Sequence, residues 1–72
     1  MKQTIILENF SRYLITYREK NDYSQEYMAE LCNLSLKGYQ TLEQGTNIPS
    51  LVTALRIRDV TGIDLNTLSL PQ

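Results

Sequence analysis

Ser24-Gln25-Glu26-Tyr27-Met28-Ala29-Glu30-Leu31-Cys32-Asn33-Leu34-Ser35-Leu36-Lys37-Gly38-Tyr39-Gln40-Thr41-Leu42-Glu43-Gln44-Gly45 is the stretch whose reading decides the fold. It reads as two short helices with a tight turn between them. Ser24 fits an N-cap, because its hydroxyl can accept one of the orphan N–H groups of a first turn. Gln25 and Glu26 follow it, where a carboxylate suits the positive end of the helix dipole. Met28, Leu31 and Cys32 give this helix an inner face, with Ala29 alongside. Asn33-Leu34-Ser35 reads as the turn, since Asn tolerates the left-handed conformation common just past a helix end. Ser35 is the next N-cap. The following helix is predicted over Leu36 to Gln44, with Tyr39 and Leu42 inward and Gly45 as its stop.

The flanks extend the same pattern. Upstream, Leu7, Phe10, Leu14 and Tyr17 recur at three- and four-residue steps, which predicts a first helix from Leu7 to Lys20, stopped by Asn21-Asp22. Downstream, Thr46 to Pro49 is a loop, and Ser50 caps a fourth helix from Leu51 to Thr61, ended by Gly62. Asp64 can cap a last short helix, Leu65 to Ser69, closed by Pro71. Strand alternation is absent beyond the first few residues. The expected fold is all-α, a compact set of four to five helices in a single domain over 1–72, with its core at about 7–69.

Composition narrows the function. A chain of 72 residues makes one small domain, which buries only about 60% of its unfolded surface. Seven Lys plus Arg stand against eight Asp plus Glu, so any nucleic-acid contact must come from a local face rather than a basic total. There is no His, and Cys32 is the single cysteine. A lone thiol without an imidazole base, no glycine-rich phosphate loop and no metal-ligand spacing argue against an enzyme, a cofactor, a metal or a small-molecule substrate. Cys32 reads as a small core residue. No apolar run reaches the roughly 18 residues of a membrane span. Glu8 cuts short the apolar start at Ile5-Ile6-Leu7, so no secretory signal is expected and the location expected is cytoplasmic.

Two short helices joined by a turn of three or four residues form the geometry that reads double-stranded DNA. A close helix crossing needs a small residue, which Ala29 supplies. A sharp turn is permitted by Asn33. The second helix of the pair needs an apolar buried side and a short polar outer side able to reach base edges. Tyr39 and Leu42 serve the first need, and Lys37, Gln40, Thr41 and Gln44 the second.

The ordered set Ser24-Gln25-Glu26, Ala29, Asn33, Ser35, Leu42-Glu43-Gln44-Gly45, Ile48-Pro49-Ser50-Leu51 and Gly62-Ile63-Asp64-Leu65 resembles the Cro/phage-repressor helix-turn-helix family, the lambda-repressor-like DNA-binding domains. The resemblance runs from about Leu7 to Leu68. It implies that Gln25 contacts a phosphate and that Leu36, Lys37, Gly38, Gln40 and Thr41 lie along the major groove. It implies that Thr46 and Asn47 approach the DNA backbone, and that Arg18 and Glu43 form a pair joining the first helix to the end of the third. Gln40 and Thr41 can hydrogen-bond bases, and Lys37 a guanine edge or a phosphate. The expected partners are duplex DNA and a second copy of the chain, and the expected role is a transcriptional repressor.

The sequence departs from the family where Asn33 replaces the usual turn Gly and where Gly38 stands inside the recognition helix, at a cost of roughly 1 kcal/mol relative to Ala. Leu36 stands where a polar reader is common, and Arg58 and Thr61 where apolar residues are usual. Leu36 can meet a thymine methyl or pack against the turn. Arg58 can pair with Asp59, meet a second copy, or bury its stem. Ile63, Leu65, Leu68 and Leu70 can form a dimer seam or close the core over the first helix. With only Lys37 basic in the recognition helix, the alternative function is a protein-interaction module or antitoxin-like component on the same scaffold. A neutral or positive strip along the third helix supports DNA binding, whereas a continuous acidic surface supports a protein partner.

Overall fold

A computed structural model describes residues 3–68. Helix α1 spans Gln3–Lys20, α2 Gln25–Leu31, α3 Leu36–Gln44 and α4 Leu51–Thr61, and a 3-10 turn at Leu65–Thr67 closes the described chain. No strand occurs among the described residues. The architecture is all-α, with α2 and α3 as the helix-turn-helix pair.

All four expected N-caps are formed. The Ser24, Ser35 and Ser50 hydroxyls accept from the N–H groups of Tyr27 (3.0 Å), Gly38 (3.0 Å) and Thr53 (3.1 Å). Asp64 accepts from Asn66 N–H at 3.0 Å. The helix ends are as regular. Helices α1, α2 and α3 each stop at a left-handed residue, Asp22 (φ 57°), Asn33 (φ 57°) and Gly45 (φ 71°). At each stop the same pair of backbone bonds forms: Asp22 N–H to Glu19 O and Tyr23 N–H to Arg18 O, Asn33 N–H to Glu30 O and Leu34 N–H to Ala29 O, Gly45 N–H to Leu42 O and Thr46 N–H to Thr41 O. This double closure satisfies carbonyls that a helix end otherwise leaves open. Asn33 performs it in the turn between α2 and α3, because its short polar side chain tolerates positive φ.

Three boundaries differ from the sequence reading. Helix α1 begins at Gln3 rather than Leu7. No Gly or Pro interrupts the extra turn, β-branched residues lower helix propensity only slightly, and Ile6 and Leu7 line an apolar groove with Phe10, Leu65 and Leu68. Helix α2 ends at Leu31, with Cys32 as its cap, although Cys32 stays in the core at 1% exposure. The last helix is a single 3-10 turn. Ser69, Leu70 and Pro71 lie outside the described residues.

The core joins Phe10 and Leu14 of α1, Met28 and Ala29 of α2, Tyr39 and Leu42 of α3, Ile57 of α4, and Cys32 and Ile63 between elements. Helix α3 is central: α1 and α2 both pack on it. The C-terminal end of α4 is tied down by tyrosines of α1, whose hydroxyls donate to backbone carbonyls, Tyr13 to Thr61 O (3.1 Å) and Tyr17 to Val60 O (3.3 Å). Thr61 completes that end by donating to Ile57 O and accepting from Ile63 N–H. Ile63 is buried, and Leu65 and Leu68 pack against the core. Asn9 of α1 donates to Leu68 O, so the described part of this stretch closes the core over α1.

Ala29 is 3% exposed within the cluster that joins α2 to α3. A Leu there must displace neighbours already at van der Waals contact. Ala29→Leu is expected to destabilise the fold by about 1–3 kcal/mol, read as a lower melting temperature. An unchanged melt would place Ala29 away from the helix crossing.

Candidate nucleic-acid interface

Glu43 lies one turn after Tyr39 on α3, so both side chains point the same way, into the protein. Glu43 is only 8% exposed, and a buried carboxylate survives only if its oxygens are paired. They are. The Arg18 guanidinium of α1 donates to both, Nε to Oε2 at 2.7 Å and Nη2 to Oε1 at 3.1 Å. The Tyr39 hydroxyl donates to Oε2. Gln25, at the start of α2, donates to Oε1 at 2.9 Å. Arg18 also reaches Tyr23 O at 3.3 Å. One carboxylate thus ties α1, α2 and α3 together near the C-terminal end of α3.

The protonation states follow from this geometry. Burial alone would raise the Glu43 carboxyl, but the hydrogen bonds from Arg18, Tyr39 and Gln25 outweigh it and hold the group below the ordinary carboxylate range. Burial pushes the Tyr39 phenol up, and its bond to Glu43 adds to that shift. The ion pair and the phenol therefore stay Arg⁺, Glu⁻ and neutral Tyr across physiological pH.

The residues expected at the interface divide into two groups. Leu36, Lys37, Gln44, Thr46 and Asn47 are exposed. Gly38, Gln40, Thr41 and Gln25 are half-buried. Leu36, at 39% exposure, is partly packed and partly open. Gln40 donates through Nε2 to Gln25 Oε1 at 3.1 Å, which extends the Glu43 network outward to the helix surface. The Gln40 carbonyl and its second amide hydrogen are uncommitted in that bond. Thr41 donates to Gly38 O at 2.7 Å, leaving its oxygen as an acceptor, and Thr46 donates to Thr41 O at 3.4 Å. A Cβ at position 38 would sit 3.1 Å from the Ser35 Oγ. Glycine there leaves the capping hydroxyl its place, which offsets the helix propensity it costs.

Charge along this surface is sparse and one-sided. Lys37 and Glu43 are the charged residues of α3, and Glu43 is turned inward against Arg18. The outer strip from Leu36 to Asn47 therefore carries one cation and no open carboxylate. Arg58 pairs with Asp59 at 3.7 Å, with both side chains more than half exposed, a contact of little energetic weight.

Sequence reasoning had paired Arg18 with Glu43 by resemblance and had placed Tyr39 inward. It missed that Tyr39 and Gln25 converge on the same carboxylate and that Gln40 joins the network through Gln25. The i, i+4 spacing of Tyr39 and Glu43 was a usable signal. The Gln25 link, 18 residues away in sequence, had none.

No helix among the described residues is long and apolar enough to cross a membrane. Comparison with curated proteins and with solved structures gives no match. A helix-turn-helix family model matches residues 14–68, which takes in the Arg18–Glu43 tie, both helices of the pair and α4, and on that match the chain belongs to the Cro/C1-type helix-turn-helix family of DNA-binding regulators.

Proposed function

We propose that this protein is a sequence-specific transcriptional repressor that lays α3 in the major groove of duplex DNA. The observation that carries this reading is the outer strip of α3 and its following loop, which presents Lys37 and a row of short polar groups with its one carboxylate withdrawn. Gln40 and Thr41 read base edges, Lys37 and Gln44 contact guanine or phosphate, Leu36 meets a thymine methyl, and Gly38 lets the backbone approach closely. Thr46 and Asn47 take the phosphates beyond α3. Gln25 has a double role, since it both orients Gln40 and stands at the start of α2 beside the DNA backbone. Holding Gln40 through Gln25 fixes the reader's rotamer before binding, which lowers the ordering cost of recognition. The described chain measures 31 × 22 × 20 Å, so a two-fold pair of copies can set equivalent helices about 34 Å apart, one turn of DNA.

Selection from random duplex DNA tests this. The expected result is an enriched pseudo-palindrome with half-sites about one helical turn apart. On the selected site, Gln40→Ala with Thr41→Ala is expected to lose about 10–100-fold in affinity, with melting unchanged. Lys37→Ala should weaken all duplexes alike and reduce the salt slope by about 1. Absence of any enriched sequence would reject the reading. A second reading, a protein-interaction module, is favoured by the single cation on the strip, because counterion release scales with Lys and Arg contacts. That reading gains if selection yields nothing while the fold is intact.

A further inference from the structure

Helix α4 buries only Ile57. Its outer side is unusually apolar at one end: Leu51 is 74% exposed and Val52 69%. Val52, Leu55, Arg56, Asp59 and Val60, at steps of three, one, three and one residues, form one stripe of the helix. Together with Leu31 at the end of α2 they line a shallow groove of about 380 Å³. The stripe reads apolar, positive, negative, apolar: Leu55, Arg56, Asp59, Val60. Reversed end to end, it has the same pattern with its charges exchanged.

That pattern is self-complementary under a two-fold axis. When two copies of one helix pack antiparallel, facing residues have position numbers of constant sum, and a sum of 115 sets Leu55 against the partner's Val60 and Arg56 against the partner's Asp59. Both opposite-charge contacts then form at once, and Val52 reaches past the end of the partner's α4. We infer that the α4 stripe is the surface by which two copies of this chain pair, with Arg56 of each facing Asp59 of the other. The occupant is a second copy because the charge order complements itself on reversal, the property that an isologous contact requires. Among the described residues, Asp59 has a long, exposed contact with Arg58, which leaves its carboxylate open to a better partner. One stripe per copy is small beside a standard interface of roughly 1,600 Å², so the free dimer is weak and adjacent half-sites reinforce it.

The inference rests on the two-fold assembly proposed above but not on DNA recognition, and its test uses no DNA. Sedimentation of the full chain from about 10 µM to 1 mM is expected to show self-association. Arg56→Asp alone and Asp59→Arg alone each set like charges against each other, and each should raise the dissociation constant about tenfold or more. Mixed together, the two variants offer each other complementary charges, and association should return to the wild-type level. Both positions are exposed, so the variants are expected to fold, and circular dichroism checks this. A monomeric wild type across the range overturns the inference. So does self-association of the single variants equal to wild type, or a mixture no tighter than either variant alone.

Discussion

Replacing Glu43 by Ala is expected to cost about 3–5 kcal/mol, because it strips the acceptor from a part-buried cation and a buried phenol at once. Arg18 has a side-chain exposure of 18% and Tyr39 is fully buried, so water cannot readily replace the lost carboxylate. For 72 residues a total stability of about 4–11 kcal/mol is ordinary. The change should therefore remove a large share of that stability, read in urea titration as a lower midpoint. Removing both charges together, as Arg18→Met with Glu43→Leu, should cost less than the two single changes summed, since no charge is left stranded.

The same carboxylate sets a pH dependence whose sign is fixed. Its folded-state value is held below the ordinary carboxylate range by Arg18, Tyr39 and Gln25 against the opposing effect of burial. The contribution is thus fully present above the unfolded value of about 4.3 and is lost as pH falls through the lowered folded value. The stability gap between wild type and Glu43→Ala should be constant from neutrality to about pH 5 and shrink toward about pH 3. A gap that did not narrow on acidification would mean that packing, not the ionised group, holds the three helices. Because Glu43 also anchors Gln25, and Gln25 anchors Gln40, a milder change such as Glu43→Gln should loosen base reading at a temperature where the fold survives.

What could be read from the sequence was what acts locally. The serine caps at 24, 35 and 50 announce helix starts because each needs only a hydroxyl and an N–H three residues on. The stop at Asn33 was readable because left-handed backbone is a single-residue property. The early start of α1 is not legible locally, because the apolar groove that Ile6 and Leu7 line with Leu65 and Leu68 brings together the two ends of the described chain. Ile57, wholly buried, escaped notice because α4 carries apolar residues around most of its circumference and its periodicity is therefore weak. Periodicity places Tyr17 on the inner face of α1 but is silent on Tyr13 and on the task of both hydroxyls, to satisfy carbonyls at the end of α4, which exists only once the chain has folded. At the interface, residue types were legible on α3 itself, but the hydrogen bond from Gln40 to Gln25 depends on how α2 meets α3. No spacing rule encodes that meeting.

Leu14→Ala is the second change expected to be severe, at about 2–5 kcal/mol. Leu14 has no exposed surface and sits at the middle of α1, one turn before Arg18, on the face that packs across α3. Truncation removes the transfer energy of the lost methyl groups and leaves a void that two helices already pinned by Arg18 and Glu43 cannot fully close. For a chain of this size each kcal/mol shifts the midpoint by roughly 4–8 °C, so melting should fall by at least about 10 °C. Leu51→Ala supplies the control: the same residue type, on α4 and 74% exposed, should change stability by no more than about 0.5 kcal/mol. The pair separates burial from side-chain chemistry, since both variants delete the same atoms. If Leu14→Ala melted within a few degrees of wild type, α1 would not be seated across α3 and the recognition helix would lack its platform. If Leu51→Ala proved as damaging as Leu14→Ala, the open face of α4 would already be covered in solution, and pairing of two copies through that helix would contribute to the stability of each.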